Sequence, residues 1–143
     1  MEADSNNPRV ERVFVVHGHD HQLRNKVASF VTNLGKEPII LSECASGGRT
    51  IIEKFEHYAG NVDYAIVLMT ADDSATAQSD GDTSQPRLRV RQNVLFELGY
   101  LVAKLGRGKV CLLCDSGIEI PTDLSGVVYV SLQQEQDWPW RVV

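Results

Sequence analysis

The chain has 143 residues, of which 43% are hydrophobic, and its formal net charge is -5 at pH 7. These values suit one globular domain with a real core and exclude two ordinary domains. Lysine and arginine are dispersed, so the basic stripe of a nucleic-acid-binding surface is missing. No apolar run approaches the roughly 20 residues of a membrane span, and the polar amino terminus is unlike a signal peptide. We therefore expect a cytoplasmic protein that binds neither nucleic acid nor membrane.

The first half of the chain alternates predicted strands and helices. An apolar strand at residues 11–16 is followed by the turn HGHD. Asp20 can cap the next helix, which Gly35 ends. Residues 37–41 form a second strand, and a loop rich in small residues follows it. This order predicts a strand-helix-strand unit.

The next helix has a clear start signal. Thr50 and Glu53 have the spacing of a capping box, and Gly60 ends the pattern. The side chains that this short helix is predicted to bury are Ile51, Ile52 and Phe55.

The second half continues the alternation. Residues 63–69 form a third strand, and the polar segment 70–86 is long enough to be a functional or disordered loop. A strongly periodic helix pattern covers residues 89–105, with Gly106 as its cap. The runs at 109–114 and 126–131 are the fourth and fifth strands.

The three cysteines predict neither a disulfide framework nor a metal site. Their number is odd, and Cys111 and Cys114 form a C-x-x-C spacing inside a short apolar run. In a strand, positions three apart point to opposite faces. We interpret both as buried small hydrophobic residues, whereas Cys44 falls in a polar loop.

Strands that alternate with helices predict an α/β fold with a parallel sheet covered on both faces. Five strands favour the flavodoxin-like order 2-1-3-4-5. Residues 1–8 are expected to be a flexible tail and residues 9–143 a single domain. Ligands of such sheets bind beyond the carboxyl ends of strands 1 and 3, here residues 17–20 and 70–73.

A carboxylate stands at the margin of the apolar stripe of the helix at 89–105. Turns of about 100° per residue place five aliphatic side chains in a stripe about 80° wide, with Glu97 about 20° from Val90. Asn93, Tyr100 and Lys104 share its strip. Glu97 is either paired internally, for instance with Lys104 or an arginine, or a poorly solvated site residue with a raised pKa.

The histidine-rich turn HGHDH, residues 17–21, has a metal-binding and a simpler interpretation. It resembles the zinc motif of metallo-β-lactamase-like hydrolases but is one residue short, and downstream histidines beyond His57 are missing. We therefore predict no metal. The turn instead suits a helix cap at Asp20 and a ligand-lining loop in which Gly18 allows close approach.

Other charged positions are ambiguous. Asp72 and Asp73 stand where a receiver domain has its phosphoacceptor, but the acidic pair and the lysine of such a domain are missing, and turn formation is the alternative. Arg49 either meets a phosphate or is solvated. Arg89 and Arg91 flank a helix start, where a bound anion or acidic partner would offset their charge.

Six segments together resemble the predicted nucleotide-binding, TIR-like domains of bacterial defence effectors. The resemblance covers about residues 9–132. Its motifs are VFVVHGHD, LGKEPIIL, GRTIIEKFE, DYAIVLMTADD, RVRQNVLFELGYLVAKLGRGKVCLL and IPTDLSGVVYV. TIR domains have the flavodoxin-like fold. Members of this group are fused to or partnered with cyclic-nucleotide sensors, including STING-like domains, and degrade NAD once assembled.

The resemblance implies an NAD+ glycohydrolase of anti-phage defence, with NAD+ as substrate and no cofactor. It implies that Glu97, on the helix after strand 3, is the catalytic residue. Animal TIR enzymes carry a tryptophan where Asn93 stands, so the resemblance does not imply that an aromatic ring stacks on the substrate at this position. The residues predicted to bind the substrate are His17, Gly18, His19, Asp20, Arg49, Asp72, Asp73, Asn93 and Tyr100.

The resemblance also implies partners. TIR pockets are completed across neighbouring copies, so we expect a homo-oligomer or filament and a cyclic-nucleotide sensor in cis or trans. The chain is expected to be an effector domain cut from a longer chain, or one that lacks its activator. Two alternative functions remain: a non-enzymatic TIR-type module for nucleotide binding or self-association, and an NAD cyclase that uses the same glutamate.

Overall fold

The computed structural model describes residues 10–71, 90–115, 118 and 126–131. Its strands are β1 Arg12–Val16, β2 Glu37–Ile39, β3 Tyr64–Met69, β4 Val110–Cys114 and β5 Val128–Ser131, and its helices are α1 His21–Asn33, α2 Ile51–Ala59 and α3 Gln92–Leu105. The four strand pairings are parallel and give the order β2-β1-β3-β4-β5. The predicted flavodoxin-like sheet is confirmed.

The helices cover both faces of the sheet. Val13 and Val15 of β1 pack in the core that contains Val27 and Val31 of α1. On the other face the alternate residues of β1 pack in the core formed with α2 and α3. This alternation follows from the two-residue period of a strand, and it places α2 and α3 together on one side.

The start of α3 differs from the prediction. The helix begins at Gln92 and ends at Leu105, whereas the periodicity placed its start at residue 89. Arg91 has an extended backbone, with φ -60° and ψ 138°. Val90 is nevertheless buried, at 2% exposure, because the incoming chain packs on the same core as the helix. The predicted helix was therefore too long at its start, because the apolar pattern includes Val90, which is buried but not helical.

Strand β2 is shorter than predicted. It pairs with β1 over three residues and ends at Ile39, because the chain turns into a 3-10 helix at Leu41–Glu43. That turn begins the segment that leads to α2.

The capping box of α2 is confirmed, since the Thr50 hydroxyl and the Glu53 side chain each bond the other's backbone. The predicted burial of Ile51 and Ile52 is wrong, because their exposures are 81% and 51%. Both lie in the first turn of α2, before the buried residues Phe55 and Ala59, and Ile51 borders the open cleft.

The C-x-x-C spacing is explained by the sheet. Cys111 packs against the α1 face and Cys114 lies in the core of the opposite face. Burial raises the pKa of the Cys111 thiol to about 11 and that of the Cys114 thiol to about 12. The prediction that the two side chains point to opposite faces is confirmed, and the predicted burial is confirmed for Cys114, whereas Cys111 is partly buried.

Some predictions fall outside the described residues, namely the tail at 1–8, most of the polar segment 70–86 and most of the connection between β4 and β5. Within the described ranges, no helix has the length and apolar character needed to cross a bilayer.

Candidate active site

A cleft of about 290 Å³ lies at the carboxyl end of β1, between the segment after β2 and helix α3. The end of β1 forms its floor, α2 and the preceding loop form one wall, and α3 contributes one residue. The described residues that line it are Phe14, Val15, Val16, His17, Leu41, Ser42, Ser46, Arg49, Ile51, Lys54 and Glu97.

Glu97 is the carboxylate of this cleft. It lies one residue before the fully packed Leu98, so the helix that builds the core also holds Glu97 in a poorly solvated position. Burial raises the pKa of Glu97 to about 7, and the positive charge of Arg91 partly opposes that rise. A carboxyl with this pKa exchanges protons near neutral pH.

Among the described residues, Glu97 forms no ion pair with Lys104 or an arginine, the internal pairing that the sequence left open. Lys104 makes no ion pair with Glu97, which lies two helical turns away from it. In the described part of the chain the Glu97 carboxylate accepts no hydrogen bond and forms no salt bridge. Its raised pKa therefore comes from burial, which outweighs the charge of Arg91, and carboxylates perturbed in this way cluster at functional sites.

His17 lies half-buried in the cleft. Its Nδ1 is 2.8 Å from the carbonyl oxygen of Gly18, and because a carbonyl only accepts, Nδ1 carries the proton. Burial lowers the pKa of His17, although the Gly18 bond opposes this. The ring is therefore neutral near pH 7 and presents Nε2 as a hydrogen-bond acceptor.

Arg49 and Lys54 form the cationic side of the cleft. Neither makes an ion pair with another described residue. Lys54 was missed in the sequence analysis. The signal was available, because Lys54 lies one turn after the cap at Thr50, on a helix that starts beyond the carboxyl edge of the sheet.

The loop after β1 lies beside the cleft. Gly18 is close to the end of β3, since a Cβ there would lie 3.8 Å from the Thr70 hydroxyl. Arg91 donates to Nε2 of His19 at 3.2 Å, which joins this loop to the start of α3. The Asp20 carboxylate accepts from Leu23 N–H at 3.0 Å, as the predicted helix cap. Substrate contacts of these loop residues stay predictions.

Asn93 and Tyr100, two of the three residues predicted to share the strip of Glu97, do not line the cleft. Asn93 is exposed, and the ring of Tyr100 packs edge-on against Phe55 with centroids 5.0 Å apart. Their roles in positioning the substrate stay predictions, and Asp72 and Asp73 lie outside the described residues.

A larger groove of about 550 Å³ lies on the α1 face, near the amino ends of the strands. Its described lining is apolar apart from Lys36, Tyr64, Lys109 and Cys111, and no carboxylate occurs among those residues. Of these two, the cleft at β1 is the one whose described lining combines a carboxylate, a neutral histidine and two cations. No cluster of three metal-ligating side chains occurs there either, within the ranges that the structure covers.

The fold and the cleft define a class of protein, a flavodoxin-like domain of the TIR type with a glutamate on the helix that precedes β4. Residues 12–134 match the family model described as "CAP12/Pycsar effector protein, TIR domain". The chain therefore belongs to the CAP12/Pycsar effector TIR domain family, as its sequence motifs indicated.

The chain is also similar to known relatives, and a solved structure shares its fold. The chain is 53% identical over 136 residues to the uncharacterized protein YuaY of Escherichia coli K12, covering 95% of this chain and 44% of YuaY. It is 36% identical to protein tirC of Dictyostelium discoideum, covering 93% of this chain and 69% of tirC. The CMP N-glycosidase BcmB of Clostridium botulinum has a similar fold, with TM-score 0.59, 16% identity, and coverage of 92% and 98%.

Proposed function

We propose that this chain is an NAD+ glycohydrolase domain that cleaves the bond between nicotinamide and ribose. The observation that carries the proposal is Glu97, a carboxylate with no ion pair among the described residues and a pKa of about 7, in a cleft at the carboxyl end of the sheet. Membership in an effector TIR family supports it. The structural neighbour BcmB is named an N-glycosidase, and at its low identity that likeness concerns the fold.

The proposed chemistry needs one carboxylate. When the bond from C1′ to the pyridinium nitrogen breaks, its electron pair enters the nicotinamide ring and neutralises it, so the leaving group needs no general acid. The ribose becomes oxocarbenium-like, and ionised Glu97 offsets that positive charge. Water then bonds to C1′, and its proton passes to Glu97 and on to solvent. The products are nicotinamide, ADP-ribose and a proton.

The proposal includes activation by self-assembly in an anti-phage effector, driven by a cyclic-nucleotide sensor in cis or trans. The family description supports this context. The chain spans less than half the length of YuaY. A sensor in the remaining part of a longer protein, or in a separate one, would serve as the activator.

Glu97→Gln tests the assignment, with Glu56→Gln as the matched control because Glu56 is exposed on α2 and outside the cleft. The proteins are clustered artificially and incubated with NAD+, and mass spectrometry quantifies nicotinamide, ADP-ribose and cyclic ADP-ribose. We expect Glu97→Gln to lose activity by a factor on the order of 10² to 10³, the usual cost of removing one group that stabilises transition-state charge.

Equal NAD+ consumption by wild type and Glu97→Gln would refute the assignment. If cyclic ADP-ribose were the main product, the domain would be an NAD cyclase instead of a hydrolase.

A further inference from the structure

The two cations of the cleft face it from one short stretch of chain. Arg49 lies immediately before the cap of α2, and Lys54 lies one turn into that helix, on the same side as Ile51 and Tyr58. Lys54 also lies close enough to Cys44 to oppose the rise in the pKa of that thiol that burial causes. The ammonium is therefore near the loop that follows β2.

Hydrogen bonds hold this wall in place. The Tyr58 hydroxyl donates to the carbonyl of Ala45 at 2.9 Å, and Arg49 N–H donates to the carbonyl of Ser46 at 3.0 Å. The Lys54 N–H donates to the carbonyl of Thr50 at 2.9 Å, inside the helix that the capping box starts. The loop and the first turn of α2 thus form one connected unit that carries both positive charges.

Among the described residues, the acids near these cations form no ion pair with them, although the charge of Arg49 helps to lower the pKa of Glu53 and Glu43 lies near Cys44, as Lys54 does. Glu53 is engaged with Thr50, and this hydrogen bonding lowers the pKa of the Glu53 carboxyl. Glu97 is part of the lining but forms no ion pair with either cation. The described lining of the cleft therefore carries two positive charges on one wall and one carboxylate, which α3 contributes.

We infer that Lys54, together with Arg49, binds a phosphate on the 5′ position of the substrate's ribose and so selects nucleotides over nucleosides. The inference rests on the proposed function, because it places the scissile C1′ side of the ribose toward Glu97. Arginine offers a fork of donors to phosphate oxygens and lysine adds a point charge. Small-molecule pockets range from about 300 to 1,000 Å³, so this cleft suits a mononucleotide-sized fragment.

Three substrates with the same scissile bond separate this role from a structural one. They are NAD+ and nicotinamide mononucleotide, which carry the 5′ phosphate, and nicotinamide riboside, which does not. Clustered wild type, Lys54→Gln and Lys54→Arg are compared, with Lys26→Gln as control, because Lys26 is exposed on α1 and outside the cleft.

We expect Lys54→Gln to raise KM about 10- to 100-fold for both phosphorylated substrates, the range for loss of one charged hydrogen bond. kcat should stay within about threefold, and Lys54→Arg should restore most of the affinity because it keeps the charge. The riboside should be cleaved poorly and equally by wild type and Lys54→Gln. An unchanged KM for the phosphorylated substrates, or the same relative loss with the riboside, would overturn the inference.

Binding tests the site even where no cleavage is seen. Glu97→Gln and the double variant Glu97→Gln with Lys54→Gln are titrated calorimetrically with nicotinamide mononucleotide. Binding that weakens at least tenfold in the double variant supports the phosphate site whether or not the wild type is a glycohydrolase. Binding that is absent or equal in both proteins contradicts it.

Discussion

At the scale of single residues, Glu97 lowers the stability of the folded chain and is also the residue proposed to stabilise the transition state. Its carboxylate is poorly solvated and lacks an ion-pair partner in the described structure, so ionisation is harder in the folded chain than in the unfolded one. Such a residue weakens the fold at neutral pH. Many active sites keep a buried carboxylate of this kind because the reaction needs it, although it lowers the stability of the fold.

Glu97→Gln should stabilise the protein while it removes activity. The folded-state pKa lies above the unfolded value of 4.5, so folding binds a proton between pH 4.5 and about 7, and wild-type stability falls as pH rises through that window. The variant lacks this loss and should gain about 3 kcal/mol in free energy of unfolding near pH 8, since one pKa unit corresponds to about 1.4 kcal/mol.

Urea unfolding of wild type and variant at several pH values measures the gain. The difference should shrink toward zero as the pH approaches 4.5, and Glu56→Gln should show no such trend. A variant that is less stable than wild type near pH 8 would contradict the burial argument.

At the scale of elements, the site depends on where α2 begins. The capping box at Thr50 sets the first turn, and that turn carries Lys54, with Arg49 just before it. The bond from Tyr58 to Ala45 ties the helix to the loop after β2. A change at this helix start should therefore affect both stability and the cationic side of the cleft.

Thr50→Ala should lower the free energy of unfolding by about 1 kcal/mol, because an N–H of the first turn loses its acceptor. Thr50→Ser keeps the hydroxyl and should stay close to wild type. Thr32→Ala is the matched control, since the Thr32 hydroxyl is exposed and bonds only the Ala28 carbonyl one turn back. Denaturant unfolding compares the four proteins, and equal stabilities for Thr50→Ala and Thr32→Ala would argue against the cap.

At the scale of the whole molecule, apolar side chains are exposed beside the cleft. Ile51, Ile52 and Phe96 are 81%, 51% and 55% exposed, and they come from the two helices that flank it. Exposed apolar patches on soluble domains mark contact surfaces. This surface is where the proposed self-assembly would bring a second copy next to Glu97.

Ile52→Glu should reduce self-association and NAD+ consumption in parallel, while folding is preserved because a negative charge in the first turn of a helix is favourable. Gln22→Glu is the control, since Gln22 is exposed and holds the same second position in α1. Light scattering and nicotinamide release are followed at increasing protein concentration. Loss of activity at unchanged association would place Ile52 in the cleft chemistry instead of the contact.

The sequence alone was enough to predict the parallel sheet, its strand order and Glu97 as the candidate catalytic residue. The pattern of apolar residues indicates which side of each segment is buried. This local information is enough to predict strands and helices, and to find a carboxylate at the margin of an apolar stripe. The cap at Asp20 and the capping box at Thr50 were equally local and equally readable.

Only the tertiary structure decided which side chains share the cleft. Lys54 and Glu97 are 43 positions apart and lie on different helices, so no local pattern relates them. The exposure of Ile51 and the lack of an ion pair at Glu97 in the described chain also depend on packing between segments. Burial and charge at a site are sums over neighbours in space, and a periodicity along one helix does not contain them.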